Sequence, residues 1–221
     1  MSARCCDHEP AFTGASPRYR RALWAVIAIN GAMFAVEIVA GLAAGSQALQ
    51  ADALDFLADT FTYGLSLYVL GHSLRWRARA ALFKGLSLGA LGLWVLGSTL
   101  WRSFADTVPE PLTMGVVGFL ALAANLAAVA ILFRFRAGEA NVRSVWLCSR
   151  NDAIGNIAVM IAASGVFATG TAWPDLAVAA GMASLFLYGA VRIVRQAAGE
   201  LAGLGNGHRA APEGAAPHRH R

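Results

Sequence analysis

The sequence has little charge for its length, and this shortage excludes an ordinary soluble domain. Only 14% of its 221 residues are charged, against about 25% in an average soluble protein. A helix that spans a bilayer needs roughly 20 apolar residues. Six stretches reach that length, at about 22–44, 48–71, 80–101, 112–133, 145–170 and 174–194. The sequence therefore predicts an all-α membrane protein with six transmembrane helices.

Other absences narrow the class further. The apolar runs lack the alternation of an outer-membrane strand. The opening MSARCCDHEPAF contains no apolar stretch of a cleavable signal peptide, so the first span is expected to act as an uncleaved anchor. Three cysteines, two of them in a predicted cytoplasmic tail, argue against a disulfide framework. A phosphate-binding glycine loop is missing, so neither an enzyme nor a bound cofactor is expected.

Positive charge is distributed unevenly between the connections. Arginines precede the first span, follow the second and the fourth, and close the sixth, whereas the intervening connections carry few charges. This is the positive-inside pattern, which places both termini in the cytoplasm. The net charge of +5 is thus interpreted as a determinant of topology, and a nucleic-acid partner is not expected. A multi-pass protein of the inner cell membrane is the predicted location.

Three segments follow from this pattern. Residues 1–20 are predicted to form a cytoplasmic tail containing Cys and His, and residues 21–197 the six-helix membrane domain. Residues 198–221 are rich in Gly, Ala, Pro and His and are predicted to be a disordered cytoplasmic tail. Both tails carry metal-ligand chemistry, and a role as incidental residues stays equally open. The residues concerned are Cys5, Cys6 and His8 at one end and His208, His218 and His220 at the other.

The second span carries three carboxylates on one helical face. Asp52, Asp55 and Asp59 are three and four residues apart, which brings them to the same side of a helix. Lipid does not solvate a carboxylate, so such residues usually line a functional path. Asp55 and Asp59 could chelate one cation; the alternative is a pair neutralised by protons or by an arginine. Asp52 is interpreted either as an accessory ligand or as a hydrogen-bond acceptor.

A second polar stripe lies in the fifth span. Cys148, Asp152 and Asn156 are each four residues apart. A thiolate favours zinc, cadmium or copper(I) over magnesium and calcium. Asp55, Asp59, Cys148 and Asp152 are therefore the candidate metal ligands, and Asn156 a candidate for the path beside them.

The first and third spans add two further charged positions. Glu37 shares a helix face with Asn30, and it could relay protons or anchor a hydrogen bond to another helix. Lys84, in the third span, is predicted to extend toward the cytoplasmic interface.

These motifs resemble the cation diffusion facilitator family. GSQALQADALDFLAD is similar to the second span of that family, and WLCSRNDAIGNIAVM to the fifth; Asn30 and Glu37 in the first span fit as well. The resemblance covers about residues 20–195 and implies efflux of a divalent metal in exchange for protons through a tetrahedral site on the second and fifth helices. Cys148 stands where the family has His or Asp, and the usual cytosolic C-terminal domain is not expected in this chain.

The resemblance and the ligand chemistry together predict a metal/proton antiporter. Its ligands must be deprotonated to bind metal, so metal and protons compete for one site, and alternating access would carry them across. Zinc is the first choice of transported substrate, with cadmium, cobalt and nickel open. The expected partners are divalent metal ions, protons and the lipid bilayer, and a homodimer is left open. The alternative functions are a membrane metal sensor or accessory subunit that moves no metal, and a structural or proton-conducting protein.

Overall fold

The computed structural model describes residues 16–68, 74–105, 107–135 and 140–209. Six α-helices account for most of them, and no strand occurs within these ranges. The helices are α1 (Pro17–Ala44), α2 (Gln47–Tyr68), α3 (Leu74–Arg102), α4 (Pro111–Leu132), α5 (Ala140–Thr169) and α6 (Trp173–Arg209), with a short 3₁₀ turn at Phe133–Phe135. The prediction of an all-α membrane protein is confirmed.

Five of these helices are long and apolar enough to cross a membrane. The remaining helix, α2, has 22 residues, which is the length of a span, but it carries Asp52, Asp55 and Asp59. The carboxylates lower its hydropathy without shortening it. Both ends of the chain extend further in helical form than the apolar runs predict.

At the N-terminal end, helix α1 begins at Pro17 because Ser16 caps it. The Ser16 Oγ accepts a hydrogen bond from the Tyr19 N–H at 3.2 Å. At the C-terminal end, helix α6 continues to Arg209. The prediction that residues from 198 on are disordered is therefore wrong for residues 198–209. The extension starts with helix-favouring residues and a side-chain hydrogen bond of 3.0 Å from Gln196 to Glu200. Residues 210–221 lie outside the described part of the chain.

The helices pack as two groups. α3 packs chiefly against α6, while α1 packs against α2 and α4, and α4 against α5. A Cβ atom on Gly85 of α3 would approach the Val194 side chain of α6 to 2.8 Å, so this glycine permits the close approach of the pair. The α3–α6 pair thus stands beside a group of four helices, α1, α2, α4 and α5.

One end of the bundle is tightly connected. The α1–α2, α3–α4 and α5–α6 connections meet there: Arg102 donates to the Gly45 carbonyl at 3.0 Å, and the Glu110 N–H donates to the Ala44 carbonyl at 3.0 Å. Gly45 adopts a φ of +66°, a conformation that favours glycine. We call this the outer end, following the positive-inside expectation, and the opposite end the inner end.

Candidate metal site

A narrow cleft between α2, α4 and α5 brings together three of the predicted ligands. Asp55 and Asp59 of α2 and Asp152 of α5 line it, together with Phe56 and Asn125. The i, i+4 spacing places the two α2 carboxylates one above the other, and the packing of α2 against α5 adds the third. The cleft has no room for a water molecule in this conformation.

The three carboxyl groups are neighbours that do not form a complete ligand set. Asp152 lies within side-chain hydrogen-bonding reach of both Asp55 and Asp59. Nevertheless, among the described side chains no three His, Cys, Asp or Glu residues have a geometry ready to hold a metal ion. A cation would have to draw the carboxylates together or recruit a further ligand.

Cys148 is the predicted source of that further ligand. It lies on α5 one turn before Asp152, on the same helical face by its spacing. Its side chain lies outside the described part of the structure, as do residues 1–15 with Cys5, Cys6 and His8, and His218 and His220 at the other end. Their roles as ligands therefore remain predictions.

A larger cavity adjoins the cleft on its inner side. It has a volume of about 760 Å³ and is lined by all three carboxylates and by residues of α3 and α6, among them Ser87 and Gly189. The lining residues of α2 run from Asp55 to Thr62, away from the outer end. The cavity therefore lies between the two helix groups in the inner half of the bundle.

With this geometry in place, the chain can be compared with known proteins. A family model described as the cation efflux transmembrane domain matches residues 23–202. This chain belongs to the cation diffusion facilitator family. The predicted resemblance, which rested on the motifs of α2 and α5, is thereby confirmed.

Two curated relatives show how similar this chain is to other proteins and how much of their length it covers. They are the metal cation efflux system protein CzcD of Cupriavidus metallidurans and the cation efflux system protein CzcD of an Alcaligenes species. Each is 28% identical over 171 residues, covering 72% of this chain and 54% of the relative. The chain thus spans about half the length of the curated relatives it matches.

Lys84 lines the larger cavity, a position that the sequence analysis did not predict. It was expected to extend toward the inner interface, but it lines the cavity and acts electrostatically on Asp55 and Asp59. Only the packing of α3 against the rest of the bundle reveals this contact. Among the described side chains of this facilitator, Lys84 is therefore a cation beside the three carboxylates.

Tyr63 was also missed by the sequence analysis. Its hydroxyl donates a hydrogen bond to Oδ2 of Asp59, and the ring is fully buried. Because Tyr63 follows Asp59 by four residues, the same stripe that predicted the carboxylates could have revealed it. The bond fixes the orientation of one candidate ligand from outside the cleft.

The accessory acidic residues form a separate pair. Glu37 of α1 and Asp52 of α2 lie within side-chain hydrogen-bonding reach of each other, and both are buried, Glu37 with 0% exposure. Yet both Oε atoms of Glu37 and Oδ2 of Asp52 find no hydrogen-bond donor in the described structure. Two ionised carboxylates cannot donate to each other, so the pair can form a hydrogen bond only when it holds a proton.

Asn156 and Asn30 are buried in a similar way. Asn156 follows Asp152 by one turn, is fully buried, and has no partner for Nδ2 or Oδ1 among the described residues; the same holds for Oδ1 of Asn30. Neither residue lines the cleft or the larger cavity. The predicted place of Asn156 in the path stays a prediction.

Proposed function

We propose that this chain is the membrane domain of a divalent metal efflux transporter that exchanges metal for protons. The observation that carries the proposal is the meeting of Asp55, Asp59 and Asp152, from two helices, in one cleft that adjoins an inner cavity. Carboxylates at membrane depth are costly unless a cation or proton compensates them. Membership of the cation diffusion facilitator family supports metal as the cation.

Charge explains why metal and protons would alternate. Three carboxylates and the Cys148 thiolate carry −4, and a divalent ion leaves −2 (−4 + 2). Lys84, which lines the same cavity, brings the total to −1 (−2 + 1). When the metal leaves, the charge falls to −3 (−1 − 2), and proton uptake restores neutrality most directly. The site would thus bind either metal or protons.

The Glu37–Asp52 pair supports a separate proton position. It lies on α1 and α2 behind the cleft, and its hydrogen bond requires a proton. A proton held there could pass to the Asp55 side of α2, since Asp52 and Asp55 interact electrostatically. We therefore assign Glu37 and Asp52 to the proton path; an accessory metal role for them stays second.

Cys148 sets the expected choice of metal. A thiolate among oxygen ligands favours zinc and cadmium, so zinc is proposed first and cadmium next, with cobalt and nickel as weaker substrates. Alternating access would rock the α3–α6 pair against the other four helices around the site. The inner cell membrane is the proposed location, and a homodimer remains open.

The test is metal flux into proteoliposomes under a pH gradient, for zinc, cadmium, cobalt and nickel. Wild type is compared with Asp59→Ala and with Glu200→Gln, a control that removes an exposed carboxylate bonded only to Gln196 in the described structure. We expect gradient-driven zinc flux that Asp59→Ala abolishes and Glu200→Gln preserves.

The other outcomes separate the alternative functions. Metal binding that needs Asp59 without any flux would favour the sensor or accessory subunit. Flux that survives Asp59→Ala and Asp152→Ala would contradict the assigned site. Wild-type protein that neither binds nor moves metal would leave the structural or proton-conducting alternative.

A further inference from the structure

Asp175 is a buried carboxylate that the proposed transport cycle does not yet use. It lies in the first turn of α6 at the outer end, with 1% of its surface exposed. Its two oxygens accept three hydrogen bonds from the start of α2: from Ser46 Oγ at 2.6 Å, the Gln47 N–H at 2.7 Å and the Ala48 N–H at 3.0 Å. A side chain of α6 therefore caps α2.

This contact joins the two helix groups. The first N–H groups of a helix need acceptors from outside. Two of those of α2, on Gln47 and Ala48, obtain theirs from Asp175 of the α3–α6 pair. The next, on Leu49, donates to Ser46 Oγ. Arg102, at the end of α3, strengthens the same corner: it donates to the Gly45 carbonyl and attracts Asp175 electrostatically. Both members of the α3–α6 pair thus contact the α1–α2 connection at the outer end.

The inner end of the interface between the groups is different. Below Asp55, the cavity of about 760 Å³ lies between α2 and the α3–α6 pair, and the contact between α2 and α3 there includes the Phe61 and Phe83 rings, whose centroids are 5.6 Å apart. In the outer half, by contrast, Leu49 and Val95 belong to one buried apolar cluster that joins α2 with α3. The two helix groups thus pack without a gap in the outer half, whereas a cavity lies between them in the inner half.

We propose that Asp175 is a positioning residue that acts as an outer latch, holding the start of α2 against α6 while the metal site opens inward. This inference rests on the proposed transport function. Its hydrogen bonds to Ser46, Gln47 and Ala48 break when the α3–α6 pair moves away from α2 at the outer end. Removing the latch shifts the population from the inward-open to the outward-open conformation.

The test follows two introduced cysteines in the full chain in detergent. Thr99→Cys reports on the outer half, where Thr99 is buried on α3 just before Arg102. Ser87→Cys reports on the inner cavity. Each is combined with Asp175→Asn, which keeps the size of the side chain but presents an amide N–H group to the donors of α2. Thiol labelling rates are measured peptide by peptide by mass spectrometry, so that the native cysteines are followed separately.

If Asp175 is a latch, its substitution should change the thiol labelling rates at positions 99 and 87 in opposite directions. Asp175→Asn should speed labelling at position 99 about tenfold, the population shift expected from losing one hydrogen bond to a charged group, and slow it at position 87. A merely structural role would speed labelling at both positions. Faster labelling at both, or no change at either, would overturn the proposal.

A milder variant and a matched control complete the design. Ser46→Ala removes one hydrogen bond to Asp175 and the one that Ser46 Oγ accepts from the Leu49 N–H at 3.0 Å. It should give the same opposite changes at a smaller size, and it decides the matter if Asp175→Asn does not fold. Glu110→Gln changes another capping carboxylate at the same end, one whose side chain caps only its own helix. That control should leave both labelling rates unchanged.

The latch and the transport function can fail separately. Opposite labelling changes in a protein without metal flux would keep the latch and reject the transporter. Flux that depends on Asp59, with labelling unaffected by Asp175→Asn and Ser46→Ala, would keep the transporter and reject the latch.

Discussion

Asp175 and Asp55 are both carboxylates on helices of the membrane domain, and their surroundings differ completely. Asp175 accepts hydrogen bonds from a hydroxyl and two backbone N–H groups. Asp55 faces other carboxylates, with Asp59, Asp52 and Asp152 around it and Lys84 as the nearby cation. A satisfied carboxylate holds the fold together, whereas a cluster of like charges stores an unfavourable interaction that a cargo ion can relieve.

The same contrast separates the two halves of the bundle. Between the two helix groups, the outer half has a continuous apolar cluster and fixed connections, and the inner half has the cavity and the cluster of charges. The buried apolar cluster of the inner half joins α1, α2 and α4 within one group. The contacts that join the groups and the candidate cation site thus lie at different ends of the same helices. Four experiments test this division, in order of the expected effect.

The largest expected effect comes from one substitution made at both sites. Asp175→Asn should lower the free energy of unfolding by about 2–4 kcal/mol, because one buried N–H loses a charged acceptor and meets a donor instead. Asp55→Asn should leave it unchanged or raise it in metal-free protein, because it removes repulsion from Asp59 and Asp52. Denaturant unfolding in detergent measures both, and equal losses would contradict the comparison.

Tyr63→Phe tests the support of the metal site from outside the cleft. The substitution removes the hydrogen bond to Asp59 and keeps the buried ring. Loss of a hydrogen bond that orients a ligand typically costs about 10- to 100-fold in metal affinity, and we expect a loss near the lower value. Isothermal titration with zinc measures it. Tyr68→Phe, which changes an exposed tyrosine of the same helix, serves as the control and should bind as wild type does.

Lys84→Met tests the cation inside the cavity. Removing its charge should tighten zinc binding by roughly threefold to tenfold, because the cavity has room for water, which screens the repulsion with a dielectric constant nearer 80 than 20. Protons at the same site gain from the change as well, so the titration is done at a pH where zinc binds the wild type. Lys84→Arg keeps the charge and should match the wild type in the same titration. Weaker binding by Lys84→Met would show that Lys84 organises the site instead of opposing the metal.

The sequence predicted the elements well because hydropathy reports the bilayer directly. The six helices lie where the six apolar runs are, but the helix ends differ. Helix α1 starts at Pro17 and α6 reaches Arg209, since helical hydrogen bonding continues through polar residues that hydropathy leaves out. An apolar run therefore marks the membrane-crossing part of a helix and not its ends.

The candidate site was predictable only where it follows the period of one helix. Asp55 and Asp59 share a face by spacing, but nothing in the spacing tells which side chain of another helix reaches them. Lys84 joins them through the packing of α3. Asp175 belongs to none of the polar stripes that the sequence shows, because its partners at the start of α2 are more than 120 residues away in the chain. Which side chains of different helices meet is therefore known only from the packing of the helices in the structure.

The smallest expected effect concerns Glu110. Like Asp175, its carboxylate accepts hydrogen bonds from the start of a helix, but Glu110 is exposed. It caps α4 by accepting from the Thr113 N–H at 2.6 Å and the Leu112 N–H at 3.1 Å. Hydrogen bonds from the Thr113 side chain and from these N–H groups hold the pKa of Glu110 below its usual value of 4.5. A depressed pKa stabilises the fold above the unfolded value and loses that effect as the pH falls through the folded value.

Glu110→Gln should therefore unfold slightly more easily than wild type near neutral pH, and the difference should shrink as the pH falls below 4.5. Unfolding midpoints of both proteins across this range measure it. Because Glu110 caps only the start of its own helix, the variant should keep zinc binding unchanged. A difference that grows on acidification would mean that the charge of Glu110 does not stabilise α4, and the contrast with Asp175 would then rest on the donors of α2 alone.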